Sequence, residues 1–164
     1  MVDAEPTTLS EIEASLPWGL HDAYLEALDI DWQNAKLTLT VRVMMTEHQD
    51  MDQRARITVT GLVFCAIDPP EIDPSRGYEP TPKMGLWIDA DEGVANDEAR
   101  RRLPATPDGC FLHWLFVHPW NRFIHICGRR ADLEWIEPEP VASRAATRAL
   151  FPGDPVPDQG RMGP

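Results

Sequence analysis

The sequence predicts a mostly β (α+β) protein: an antiparallel sheet of about six strands, curled or folded into a sandwich, with short terminal helices. Three observations carry this. Residues 111 to 117 alternate Phe111, His113, Leu115 and Val117 with Leu112, Trp114 and Phe116, apolar on both faces, as a strand in the middle of a core must be. Residues 36 to 44 alternate Leu37, Leu39, Val41 and Val43 with Thr38, Thr40 and Arg42, so this strand has one buried and one solvated face. Clusters of Pro, Gly, Asn and Asp separate such runs and end them.

Taken in order, Ser10 three residues before Glu13, with Leu9, Ile12 and Leu16 at helical spacing, predicts a short capped helix over Ser10 to Leu16 that Pro17 stops. Strands follow at Tyr24 to Trp32 and Lys36 to Met44 around a turn at Gln33, Asn34 and Ala35. A third strand runs from Ala55 to Ile67, with Ile57, Val59, Val63, Cys65 and Ile67 on one face and Gly61 as the mark of a bulge. The five prolines between Asp68 and Lys83 cannot enter a ladder and make that stretch a long loop. A short strand at Met84 to Asp89 and a short helix at Asp97 to Leu103, capped by Asn96, lead to the central stretch from Cys110 to Trp135. After Trp135 the composition changes to Ile136-Glu137-Pro138-Glu139-Pro140, which reads as a boundary. Residues 139–151 read as a helical segment, its helix at Ser143 to Leu150, and 152–164 as a tail, leaving 1–138 as the single β-rich domain.

The turn within the central stretch decides which side chains meet. Pro119 suits the second position of a type I turn and Asn121 tolerates the left-handed region, which predicts a three-residue loop, Pro119-Trp120-Asn121. In that register His118 opposes Arg122, Leu115 opposes His125, and His113 opposes Cys127. His113, His125 and Cys127 then share one face, while Trp114, Phe116, Ile124 and Ile126 pack deep in the core on the other. A loop one residue longer or shorter would split the two histidines across the sheet.

A formal charge of −12, from 27 acidic and 15 basic residues, argues against binding to nucleic acid or an anionic membrane, whose affinity comes from clustered Lys and Arg. Three cysteines make no disulfide framework, the first residues carry no signal-peptide pattern, and no apolar run reaches the roughly 20 residues of a membrane helix. A cytoplasmic location is the expectation.

Pro17-Trp18-Gly19-Leu20-His21-Asp22-Ala23, followed by Leu25, Leu28, Ile30 and Asp31, resembles the His-Asp-Ala opening of small bacterial proteins grouped with polymorphic-toxin immunity proteins. Trp120-Asn121-Arg122-Phe123-Ile124-His125-Ile126 is similar to the Asn-x-Phe-Ile strand late in such proteins. The resemblance implies a small β fold that binds and blocks a toxin without catalysis.

Three function classes follow. A non-catalytic binder would meet a basic protein, such as a toxin, through acidic segments centred on Asp89, Asp91 and Glu92, whose field steers association. A small-ligand module would gather Trp87, Trp114, Trp120 and Trp135 around a pocket. An enzyme would use His113, His125 and Cys127 as zinc ligands, with water in a fourth position, or Cys127 as nucleophile with His113 as base. His21 and Asp22 offer ligand-type groups too, but between a helix and a strand their expected role is to turn and fill the corner. The binder, without catalysis or cofactor, fits the charge and the resemblance.

Overall fold

The computed structural model describes residues 7–45, 53–71, 75 and 85–136. The expected C-terminal helix and tail lie outside them. Among the described residues two short helices, α1 (Leu9–Ser15) and α2 (Asp97–Arg102), accompany eight strands: β1 (Ala23–Asp31), β2 (Lys36–Val43), β3 (Gln53–Thr60), β4 (Phe64–Ile67), β5 (Leu86–Glu92), β6 (Phe111–Val117), β7 (Arg122–Gly128) and β8 (Arg130–Trp135). All pairings are antiparallel, in the order β4-β7-β6-β5-β1-β2-β3-β8. The antiparallel class stands; the count rises from about six to eight because two long strands are each broken.

The first break is at Gly61, whose φ of +63° leaves the strand region and whose added Cβ would lie 2.9 Å from the Arg129 side chain. The expected single strand from Ala55 to Ile67 therefore becomes β3 and β4, and Val63 turns outward, 41% exposed. The second break is at Arg129, between β7 and β8. Across both, the ladder continues: Arg129 N–H donates to Thr60 O at 3.1 Å and Val63 N–H to Cys127 O at 2.8 Å.

These joins bend the sheet. β7 and β8 stand six places apart in the strand order, about 29 Å in a flat sheet at ~4.8 Å per strand, yet only Arg129 separates them, a reach of about 7 Å. The ladder stays open, β4 and β8 each being paired on one side, but the sheet has to curl back on itself. Its inner face holds the core: Leu37, Leu39, Val41, Val43, Ile57, Val59, Leu115, Val117, Ile124 and Ile126, all buried. The α1 helix closes one end with Leu9, Ile12 and Leu16. Its cap is Thr8 with Glu11, not Ser10 with Glu13: Glu11 N–H donates to Thr8 Oγ1 at 3.2 Å and Thr8 N–H to Glu11 Oε2 at 2.6 Å. The α2 helix begins at the expected cap, Asn96 Oδ1 accepting from Ala99 N–H at 2.8 Å. None of the described helices is long and apolar enough to cross a membrane.

The turn after β6 is one residue longer than expected. His118 to Trp120 form a 3-10 turn closed by Asn121 N–H onto His118 O at 3.1 Å, with Asn121 left-handed as anticipated, at φ 49° and ψ 42°. Val117 therefore pairs with Arg122, Leu115 with Ile124, His113 with Ile126 and Leu112 with Cys127. The one-residue slip exchanges faces along the hairpin. Ile124 and Ile126 remain in the core, but Trp114 and Phe116 leave it for the outer face, half-buried against Phe123.

The tightest point of the curl is Gly128, where an added Cβ would lie 2.4 Å from Val59 Cγ1 across the inner face. Gly128→Ala should cost about 1–3 kcal/mol by overpacking, read as a lower urea midpoint. Val59→Ala should restore part of that loss in the double variant; additive effects would show that the two groups do not compete for space.

Candidate functional site

The one-residue slip separates the expected zinc ligands. His113 points inward beside Ile126 and under α1, whereas His125 and Cys127 face out, so the three do not converge. All three are buried. Burial pushes the Cys127 thiol up, the opposite of what a nucleophile needs, and its expected base lies across the sheet. The Cys–His pairing is thereby corrected along with the register.

His113 instead meets α1. Ser10 Oγ lies 3.4 Å from Nδ1 while donating to Glu92 Oε2 at 3.1 Å, and Glu13 Oε2 lies 3.4 Å from Nε2. Burial, then the neighbouring charges of Asp91, Asp89 and Glu92, raise Glu13 to about 7. Burial lowers His113 to about 4. At mildly acidic pH the proton of this pair therefore sits on Glu13, whose O–H faces the otherwise unpartnered Nε2. Each group is held neutral by its own burial, so no ion pair forms between them.

The outer face carries a second cluster, built from three parts of the chain. After Leu20 the backbone turns through Asp22, at φ +56°, to enter β1, and so presents His21 and Asp22 over β5. There His21 Nδ1 lies 2.5 Å from Asp89 Oδ1, and Asp22 N–H donates to the same oxygen at 3.2 Å. From the turn after β6, His118 Nε2 lies 2.7 Å from Asp89 Oδ2. Trp87 Nε1–H donates to Asp22 Oδ1 at 3.1 Å, and its ring lies 5.2 Å from that of His118. Burial works to raise Asp89, but hydrogen bonds from His118, the Asp22 N–H and His21 outweigh it and hold the carboxyl below its usual value. The corner role expected of His21 and Asp22 is therefore carried out through Asp89. Asp89 itself is committed to this cluster, while Asp91 and Glu92 stay exposed. The parts that His118, Trp87 and Glu13 play in these clusters are not legible in the sequence, because their partners lie far along the chain.

A cavity of about 350 Å³ opens at the rim of the inner face, walled by Leu25, Leu28, Ile67, Leu86, Trp120 and Ile124, with Glu26 the acidic residue in its wall. The Glu26 carboxylate is engaged by Arg42 and by Arg54, the latter at 2.6 Å. Of the four tryptophans expected around a pocket only Trp120 lines it; Trp87 and Trp135 are exposed and Trp114 is half-buried. A smaller space of about 250 Å³ lies between α2 and the outer face, lined by His125, Asp68 and Arg102. Asn121 holds Glu71, its Nδ2 donating to Oε2 at 2.9 Å.

The Glu13 and His113 pair makes a pH prediction. Between 4.5 and 6.5, the ordinary values of the two groups, the unfolded chain carries one proton on the pair, on His113; folded, the pair carries one proton on Glu13, lost near 7. Singly, Glu13 contributes stability present below 4.5 and lost as pH rises through about 7, and His113 contributes stability present above 6.5 and lost as pH falls through about 4. Together the two slopes cancel in between. Glu13→Gln keeps a donor for Nε2 but leaves only the His113 slope, so the variant should lose stability relative to wild type as pH falls from 6.5 towards 4. Denaturation midpoints measured across that range check this, and parallel profiles would count against the exchange.

Compared with protein-family models, with characterised proteins and with solved structures, the chain matches none.

Proposed function

We propose that this protein is a small-ligand-binding β module whose ligand is a compact, mostly apolar molecule held at the open rim of the curled sheet. What supports the reading is the cavity itself. It is concave, its volume of about 350 Å³ lies within the usual range for ligand sites, and its walls are aliphatic and aromatic. Ile67 stands at its edge with 49% of its surface exposed, apolar area that an occupant would cover. The Glu26 carboxylate is tied to two arginines, so shape and apolar contact, not charge, would select the ligand.

A second reading, the immunity-type binder of a basic protein, draws on one observation. Burial first, and then the neighbouring carboxylates of Asp91, Asp89 and Glu92, hold the Glu13 proton up to about 7. With Asp89 engaged by two imidazoles, a partner would meet Asp91 and Glu92.

The two readings part in one experiment. Titration with an apolar fluorescent probe such as anilinonaphthalene sulfonate, and with a series of medium-chain alcohols, should be saturable and should quench tryptophan emission. Ile67→Trp, which fills the rim from an exposed position, should weaken the probe by about tenfold, some 1.4 kcal/mol, without lowering stability. Asp91→Asn with Glu92→Gln should leave it unchanged. Failure of every apolar probe to saturate, or equal binding to Ile67→Trp, would remove the cavity reading and leave the acidic face.

A further inference from the structure

We propose that the space between α2 and the outer face of the sheet is a second binding site, for a small zwitterion of the free α-amino-acid class. It lies on the opposite face from the apolar cavity at the rim, and the two share Ile67 in their walls.

The observation that carries it is His125. Its neighbours Ile124 and Ile126 belong to the core, so alternation along β7 sends the imidazole outward, beneath α2. There it is only 1% exposed, yet neither Nδ1 nor Nε2 has a hydrogen-bond partner among the described residues. Buried polar groups are almost always paired, so an imidazole hidden from bulk water with both nitrogens unmet points to something that meets them. The adjoining space of about 250 Å³ is the room of roughly eight waters at about 30 Å³ each, more than a single bridging water needs and less than a drug-sized ligand takes.

Charge selects the class. The Asp68 side chain is 17% exposed, and its carboxylate has one ion-pair contact among the described residues, Arg102 Nη2 at 3.3 Å. A simple anion in this space would sit against Asp68, and a simple cation against Arg102. A zwitterion meets both, its ammonium on the Asp68 carboxylate and its carboxylate on the planar guanidinium. Burial first lowers His125, with Asp68 and Arg102 acting in opposite directions, so the ring is neutral at neutral pH and offers one N–H and one bare nitrogen. Ala66, Pro69 and Leu103 complete the walls and favour a short aliphatic side chain on the ligand.

Calorimetric titration of the full chain with free L-alanine, L-valine and L-leucine should give one saturable equivalent for at least one of them, with a Kd below about 1 mM. The amide of that amino acid, which lacks the carboxylate, and its N-acetyl derivative, which lacks the ammonium, should each bind at least about tenfold more weakly. Arg102→Gln and Asp68→Asn should each weaken the free amino acid by about tenfold or more. His125→Phe should do the same while leaving the denaturation midpoint unchanged or higher, since the nitrogens it removes hold nothing else in the protein. Should the phenyl ring disturb the fold, Asp68→Asn and Arg102→Gln carry the same test. No saturation with any of the three amino acids would mean that solvent alone serves the imidazole. That result, equal binding of either blocked derivative, or wild-type affinity in any of the folded variants would overturn the assignment.

Discussion

The single residue between β7 and β8 governs this molecule more than any other feature. Arg129 joins strands that stand six places apart in the sheet, and a chain cannot cross about 29 Å in about 7 Å. The sheet has to bring its two ends together, and with them β3 and β4, the other pair of chain neighbours. Gly61 supplies the left-handed turn at the facing position, and Gly128 lets Val59 approach where any side chain would collide. The inner face that results is an enclosure with two ends. The α1 helix seals one with Leu9, Ile12 and Leu16; at the rim, Ile67 and Trp120 border a cavity. The core and the candidate binding site are thus two products of one bend.

Within that frame, the side chain period of two makes every site depend on register. By taking His118 out of the ladder and into a four-residue turn, the chain turns His113 inward to Glu13, leaves His125 beneath α2, and frees His118 to reach Asp89. Much of the fold was legible because it is local. The stripe of Leu37, Leu39, Val41 and Val43 is fully buried, Asn121 is left-handed, and Asn96 caps its helix, each following from neighbours in sequence. What was not legible is non-local. Whether the turn holds three residues, Pro119 to Asn121, or four, His118 to Asn121, is decided by partners elsewhere, and the Arg129 side chain that crowds Gly61 lies far along the chain.

The same distinction separates the charges that count from those that do not. Read along the chain, Asp89, Asp91 and Glu92 are one acidic run; in the fold, alternation on β5 and the turn before β1 give them different lives. Asp89 is gripped by His21 and His118 and by the Asp22 N–H, and these bonds overcome its burial. Asp91 and Glu92 remain in water, yet with Asp89 they reach the half-buried Glu13 and help hold its proton. A run of like charge is therefore no description of a field until the partners of each member are known.

The cavity and the outer polar cluster meet at the narrowest seam of the sheet. β1 and β5 pair through only three positions, Ala23 with Ile88, Tyr24 with Trp87 and Leu25 with Leu86, fewer than any other neighbours in the order. Leu25 and Leu86 face the cavity, whereas Trp87, on the opposite side of the same ladder, holds Asp22 in the outer cluster. A short ladder leaves β1 free to bulge after Leu25, and Gly85, at φ +97° and too close to the Leu25 carbonyl for any side chain, brings β5 in beside it. Where backbone pairing is shortest, side chains complete the join: Asp89 and Trp87 reach back from β5 to the turn that starts β1. The seam is held on the outside by the polar cluster and lined on the inside by the cavity, so the polar contacts and any occupant of the cavity bear on the same three residue pairs.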